Sequence, residues 1–269
     1  MSEQSFQMEE MAVRISTSDP NDLTPKTQAV LLNLLLQLAD NKYVLGRRYA
    51  EWVNSAPLLE AAVAAAAMTQ DELGHARSIY PLLRSFPDAP PVLKKEADRE
   101  NMSNIAFLDS PFTHWTDFVA ACFLFDQALS VVFEAARDSI YEPLQQRAEK
   151  ILQEETFHRM FAITWLRSLS KPGTVARQTL DQALHRIWPE VICWLGQPDE
   201  KYQQVAIDQG LISDDIDTMR QKFLRRVGPV LQDLGYDFPI SYTESSNRWE
   251  VTAALPWERW DARTRRLSQ

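Results

Sequence analysis

The chain has 269 residues, 45% of them hydrophobic, which is enough to bury one large core, and it carries a formal net charge of -9. That balance excludes a general nucleic-acid binder, which needs clustered Lys and Arg against phosphate. The two cysteines, Cys122 and Cys193, sit in apolar runs and read as packed thiols in a reducing compartment, not as a disulfide framework.

Residues 1–22 show no sustained hydrophobic period and are expected to form an N-terminal arm. Their sequence lacks the basic start and apolar core of a signal peptide, so a cytoplasmic protein is expected. Thr24-Pro25 supplies an N-cap and a proline at the first helical position. They open a helix predicted from Lys26 to about Val53, with Leu31, Leu34, Leu35, Leu38, Leu45 and Tyr49 near one face. Ser55-Ala56-Pro57 repeats the signal for an Ala-rich second helix reaching Phe86, kinked at Pro81. Residues 87–112 form a connection long enough to cross the molecule. Thr113 begins a third helix, HWTDFVAACFLFDQALSVVFEAARDS, and after Tyr141-Glu142-Pro143 a fourth runs to about Leu169. Shorter helices are expected at about 174–195, 199–208 and 214–234.

Seven glycines and few two-residue alternations leave little room for strands. Two long helices, a crossover and two more long helices give an all-α fold: a ferritin-like four-helix bundle with one long crossover, spanning 23–235 with its extra C-terminal helices. An irregular tail rich in Trp and Tyr, 236–269, is expected to pack on the bundle or on a partner. The longest apolar run, LLEAAVAAAAM at 58–68, is shorter than the roughly 20 residues a bilayer demands, so no membrane span is expected.

The chemistry lies in two short stretches. TQDELGHARS places Glu72 and His75 three residues apart, and EETFH places Glu155 and His158 likewise, so each pair shares one helix face. One such pair is a weak signal. Two, on the last helix of each helical pair, match the bundles that hold two metal ions with a carboxylate from each remaining helix. Asp126, 29 residues before Glu155 and inside CFLFDQALSVV, fits one of those carboxylates, because an unpaired buried Asp costs several kcal/mol. Counting back 30 residues from Glu72 lands on Lys42 instead of a carboxylate. Asp40 cannot substitute, since two residues rotate it roughly 200° around the helix.

Lys42 has two readings. It is a surface lysine in a slipped register, or it points inward and pairs with Glu72, Asp126 or Glu155. Three carboxylates and one ammonium leave two negative charges, which favours one divalent ion, or none with extra hydrogen bonds, over a full pair. The remaining histidines, His114 and His185, read as structural, and Glu134 and Asp138 as solvated.

QDELGH, EETFH, EWVNSAPLL, WTDFVAACFLFDQAL, GPVLQDLGYDFP and LPWERW together resemble the phenylacetic acid catabolic family, and within it the catalytic A-type subunits of ring epoxidases. The resemblance covers residues 25 to 262, tail included. It implies a ferritin-like di-iron monooxygenase that epoxidises the aromatic ring of a coenzyme A thioester with dioxygen. It implies partners too: a homologous ferritin-like subunit, a small accessory subunit, and a flavin/iron-sulfur reductase. Glu72, His75, Asp126, Glu155 and His158 match the family's iron ligands. Lys42 stands where the family has a first-helix glutamate, so two irons are expected from the family and one or none from this sequence. With a burial-lowered pKa, Lys42 would serve as a catalytic proton donor. A subunit that keeps the fold but has lost metal chemistry is the alternative, as is a single-metal oxidase of another small molecule. Arg47, Arg48 and Arg77 are candidates for the coenzyme A phosphates, or solvated positions.

Overall fold

The computed structural model describes residues 16–90, 102–198 and 200–268; the first fifteen residues of the expected arm lie outside them. The long helices are α1, Pro25–Ala50, α2, Leu59–Ile79, a central helix, and α5, Glu142–Leu169. The central helix comprises α3, Trp115–Ala120, a π turn over Ala121–Asp126, and α4, Gln127–Ala135. Smaller helices follow: α6, Val175–Trp194, α7, Lys201–Asp208, and α8, Ile216–Asp233. The fold is all-α, as the ferritin-like pattern requires.

Local chemistry explains the boundaries. Thr24 caps α1 by accepting from the Thr27 amide, and Thr174 and Asp215 do the same for α6 and α8 through Arg177 and Thr218. The start signal at Ser55 is misleading. Ser55 lies in the turns that close α1, its amide bonded to the Trp52 carbonyl at 3.1 Å, and α2 starts at Leu59 with no side-chain cap. Pro81 does more than kink the second helix: the α-helix ends at Ile79, and Tyr80–Ser85 continues as a 3-10 turn. The arm's end is pinned to the start of α5, where the Thr17 amide donates to Ile140 at 2.7 Å and the Glu142 amide returns a bond to Thr17 at 3.0 Å.

The central helix is long and apolar enough to cross a membrane, unlike the run at 58–68, yet it is almost wholly buried by α5, α6 and α8. It is the core of the bundle. α1 packs on α2 so closely that a β-carbon on Gly46 would stand 3.0 Å from the Glu72 β-carbon. α2 and α5 run antiparallel, joined by an Arg147 Nε bond to the Ser78 carbonyl at 2.7 Å.

The tail is not irregular. Ile240–Thr243 (β1) and Arg248–Val251 (β2) form one antiparallel hairpin, and Trp260–Asp261 (β3) and Arg266–Leu267 (β4) another. Trp249 of β2 is buried where Gly228 of α8 lacks a β-carbon, and its backbone exchanges two hydrogen bonds with the Gln221 amide. These strands run four and two residues, too short for an alternation to register.

Candidate metal centre

Four helices converge at mid-bundle. Lys42 of α1 is fully buried, and its Nζ donates to Glu72 Oε1 at 3.0 Å, Asp126 Oδ1 at 2.6 Å and Glu155 Oε1 at 2.5 Å. The register count was therefore sound, and the inward reading of Lys42 is the correct one. Glu72, Asp126, Glu155 and His158 bring ligand atoms within 4.8 Å of one another around that ammonium, all four buried. His158 Nδ1 lies 3.0 Å from Asp126 Oδ2 and 3.2 Å from Glu72 Oε1. His75 is in the same place but oriented differently, with Nδ1 3.5 Å from Glu155 Oε1 and 3.9 Å from Glu72 Oε2. The π turn ends at Asp126, and π turns often mark functional sites.

The charges follow from these contacts. Burial opposes the Lys42 ammonium, but Asp126, Glu155 and Glu72 outweigh it and raise its pKa well above the ordinary lysine value. That is opposite to the lowered pKa a proton donor needs, so Lys42 is a fixed cation. Burial likewise opposes charge on His158, yet Glu155, Asp126 and Asp71 hold its pKa well above the ordinary value. Burial pushes the His75 pKa down to about 2, with Lys42 and His158 adding to the effect. His75 is neutral and His158 charged. Burial would raise Asp126, but Lys42 and His158 keep it well below the usual carboxylate range. For Glu72 and Glu155, burial and the nearby Asp126 charge prevail and the pKa is raised. Two cations against three carboxylates leave one negative charge, and a proton on Glu155 or Glu72 removes it.

A second layer of residues went unnoticed in the sequence. The acid just before each motif glutamate bonds the histidine of the other helix: Glu154 Oε2 stands 2.6 Å from His75 Nε2, and Asp71 Oδ2 stands 3.3 Å from His158 Nε2. Carboxylates behind imidazoles set the tautomer and raise ligand basicity. The signal was present, since both stretches read acid-Glu-x-x-His. Ser130, one turn beyond Asp126, adds a hydroxyl bond to Glu155 Oε2 at 3.2 Å.

Whether metal fits is decided by the buried atoms that lack partners. Glu72 Oε2 and His75 Nδ1 are buried with no hydrogen bond, and with Glu155 Oε1 they form a compact set of two oxygens and one nitrogen. Donors bonded at about 2.1 Å to one ion stand roughly 3–4 Å apart, as His75 Nδ1 does from both carboxylate oxygens. That set fits one divalent cation. The Lys42 ammonium already bonds all three carboxylates, Glu155 Oε1 of this set included, so a pair of metal ions does not fit beside it.

Other expectations resolve plainly. Asp40 faces away from the centre, accepting from Tyr80 Oη at 2.8 Å and the Ser103 amide at 2.7 Å. His114 stands at the start of α3, where Asp117 accepts its amide at 3.1 Å, and His185 bonds the Asp181 carbonyl at 2.9 Å. Glu134 is not merely solvated but forms an ion pair with Arg226. Arg48 is buried and committed to Leu108 O and Glu51, which removes it as a phosphate ligand. Cys122 and Cys193 are free and buried.

Over 155 residues, 57% of its length, the chain is 28% identical to the C-type component of the 1,2-phenylacetyl-CoA epoxidase of Escherichia coli (strain K12), a match spanning 62% of that protein's length. Over 239 residues, 88% of this chain and 77% of the relative, it is 23% identical to the A-type component of the same enzyme. The family model described as phenylacetic acid catabolic protein matches residues 5–268, nearly the whole sequence, and the chain belongs to that family.

Proposed function

We propose that this chain is an iron-dependent monooxygenase subunit of the ring-epoxidising type, acting with dioxygen on phenylacetyl-CoA or a similar aryl-CoA in phenylacetate catabolism, and carrying one iron per chain. The observation that carries the reading is the buried, unpartnered pair Glu72 Oε2 and His75 Nδ1 beside Glu155, with Lys42 in place of a second ion. An unpaired buried acceptor costs ~1–3 kcal/mol, which a bound cation removes.

Glu72, His75 and Glu155 would hold the iron, which supplies the redox chemistry of dioxygen that side chains lack. Glu154 keeps the His75 proton on Nε2, so the Nδ1 lone pair faces the centre. The Lys42 ammonium fixes three carboxylates and balances charge without exchanging a proton. His158, charged and bonded to Asp126 and Asp71, is the group that holds a proton next to the centre. A homologous ferritin-like subunit, a small accessory subunit, and a flavin/iron-sulfur reductase complete the proposed complex in the cytoplasm. The relatives, themselves subunits of one epoxidase, support it.

The second reading is a scaffold subunit without metal, favoured by the near-neutral, hydrogen-bonded cluster around Lys42. Metal analysis of anaerobically purified protein separates the two. One iron per chain, lost in His75→Ala, together with dioxygen-dependent turnover when a reductase is supplied, supports the oxygenase. No bound iron supports the scaffold, and two irons in the native chain would overturn the role assigned to Lys42.

A further inference from the structure

A file of aromatic rings leads from the carboxylate–histidine centre to the surface. Tyr49, two turns past Lys42 on α1 and fully buried, stacks on Phe118 with ring centroids 4.3 Å apart, and Phe118 stacks on Trp115 at 4.5 Å. Phe161, one turn past His158 on α5, packs against Phe118 at 6.0 Å and Trp115 at 6.2 Å. Trp115 then meets Trp52 at 5.7 Å and Trp165 at 5.2 Å, and both of these are half-buried. Trp115 Nε1 is buried with no partner, a cost that a phenylalanine in its place would avoid.

Indole is the most easily oxidised of these rings, and contact between rings lets an electron pass from one to the next. Where the oxidising equivalent rests depends on the proton. An oxidised phenol must shed its proton, and Tyr49 Oη is buried with no acceptor, so Tyr49 bridges without holding the charge. Oxidised Trp115 keeps its Nε1 proton for the same reason and remains a buried cation, which is costly. Trp52 and Trp165 are reached by solvent, so an oxidised indole there releases its proton to water. An oxidising equivalent on this file therefore runs outward. The other indole near the centre is unsuited to this. Trp194 meets Phe125 edge-on at 5.3 Å, and Phe125 adjoins Asp126, but the Arg265 guanidinium lies 5.7 Å from the Trp194 ring and 5.6 Å from that of Trp260. That fixed cation opposes a second positive charge, and among the described residues none lies over a ring of the Trp115 file.

We infer that the Trp115 file carries single electrons from the surface to the centre, draining oxidising equivalents that iron and dioxygen leave there when no substrate is bound. The inference rests on the iron reading above. The oxidised iron takes one electron from Trp115, which becomes a radical cation with its proton retained. Trp165 or Trp52 returns that electron to Trp115 and loses its own indole proton to water, becoming a neutral radical. A soluble thiol then donates a hydrogen atom that restores the indole, and two of the resulting thiyl radicals couple to a disulfide.

The relay is tested without iron. Both native cysteines are buried, so a ruthenium–bipyridyl photo-oxidant attaches selectively at exposed position 55 in Ser55→Cys, whose backbone bonds that of Trp52. Flash oxidation with a soluble electron acceptor should leave oxidised products at Trp52 and at Trp165 in mass-mapped peptides. Adding Trp115→Phe should lose the Trp165 product and keep that at Trp52. A Trp165 product unchanged in the folded Trp115→Phe chain overturns the relay, and should that variant misfold, products confined to Trp52 in the chain that retains Trp115 overturn it equally. The link to the centre is read by metal analysis and electron paramagnetic resonance of the reduced, iron-loaded chain, freeze-quenched after exposure to dioxygen without substrate. An indole radical is expected, absent in Trp115→Phe and removed by added glutathione. Iron bound with no indole radical overturns the proposal alone, whereas a chain that binds no iron overturns the iron reading and this role with it.

Discussion

Replacing Lys42 by Met removes the ammonium while keeping most of the side-chain volume, and it leaves Glu72, Asp126 and Glu155 buried without their common partner. Removing one member of a buried ion pair costs about 3–5 kcal/mol, chiefly because the remaining charge stays desolvated. For 269 residues, an unfolding entropy near 2.1 cal/mol/K per residue converts that into a fall in Tm of about 5–9 °C. The pH dependence has a definite sign. Without Lys42 the carboxylates keep the burial that raises their pKa and lose the cation that lowers it, so the folded state binds protons more tightly than the unfolded state. The variant should lose more stability at pH 8 than at pH 5.5. A divalent ion should restore it, by about 2.7 kcal/mol at a hundredfold excess over Kd. Calorimetry at the two pH values, with and without Mn(II), reads all of this. A Tm within 1 °C of the native chain at both pH values would refute the account of Lys42 as internal counter-ion, as would a destabilised variant indifferent to the metal.

Lys42→Glu restores the fourth carboxylate, and metal analysis should then give a second iron per chain. Glu154→Leu should lower iron affinity about 10- to 100-fold by freeing the His75 tautomer, measured by competition with a chelator. Gly46→Ala forces α1 away from α2 at Glu72 and should cost about 1–3 kcal/mol by denaturant unfolding, with iron affinity falling as well.

The bundle was legible because its signals are local. The cap at Thr24, the apolar face of α1, and the two Glu-x-x-His pairs each lie within a few residues, and equal distance from a turn places Lys42 opposite Glu72. What escaped needs a neighbouring helix. Asp71 and Glu154 sit one residue before the motif glutamates, about 100° around their own helices, where a solvated acid is the natural reading. Only the antiparallel packing of α2 on α5 gives each its histidine. The Glu134–Arg226 pair joins residues far apart in sequence, and the π turn shares its apolar pattern with any buried helix. The direction of the Lys42 pKa also escaped, since burial alone predicts a fall, and only its three carboxylate contacts show that attraction outweighs it.

The two imidazoles identify the half of the centre open to metal. A metal takes neutral histidine, and His75 is neutral, its Nε2 proton held by Glu154 and its Nδ1 without a partner. His158 is charged and donates from Nδ1 to Asp126 and from Nε2 to Asp71, so it offers no lone pair unless it loses a proton that its carboxylates retain. Linkage gives the two residues opposite pH signatures. The lowered pKa of His75 contributes stability that is present above about 6.5 and lost as pH falls below it, whereas the raised pKa of His158 contributes stability that is full below 6.5 and lost as pH rises through its folded value. The ring ¹⁵N resonances test the assignment at neutral pH: His75 should show one protonated nitrogen and His158 two. Added Zn(II), a diamagnetic stand-in for iron, should shift His75 Nδ1 and leave His158 an imidazolium. If Zn(II) deprotonates His158 or moves both rings together, the centre takes metal on the His158 side as well, and the one-ion account fails.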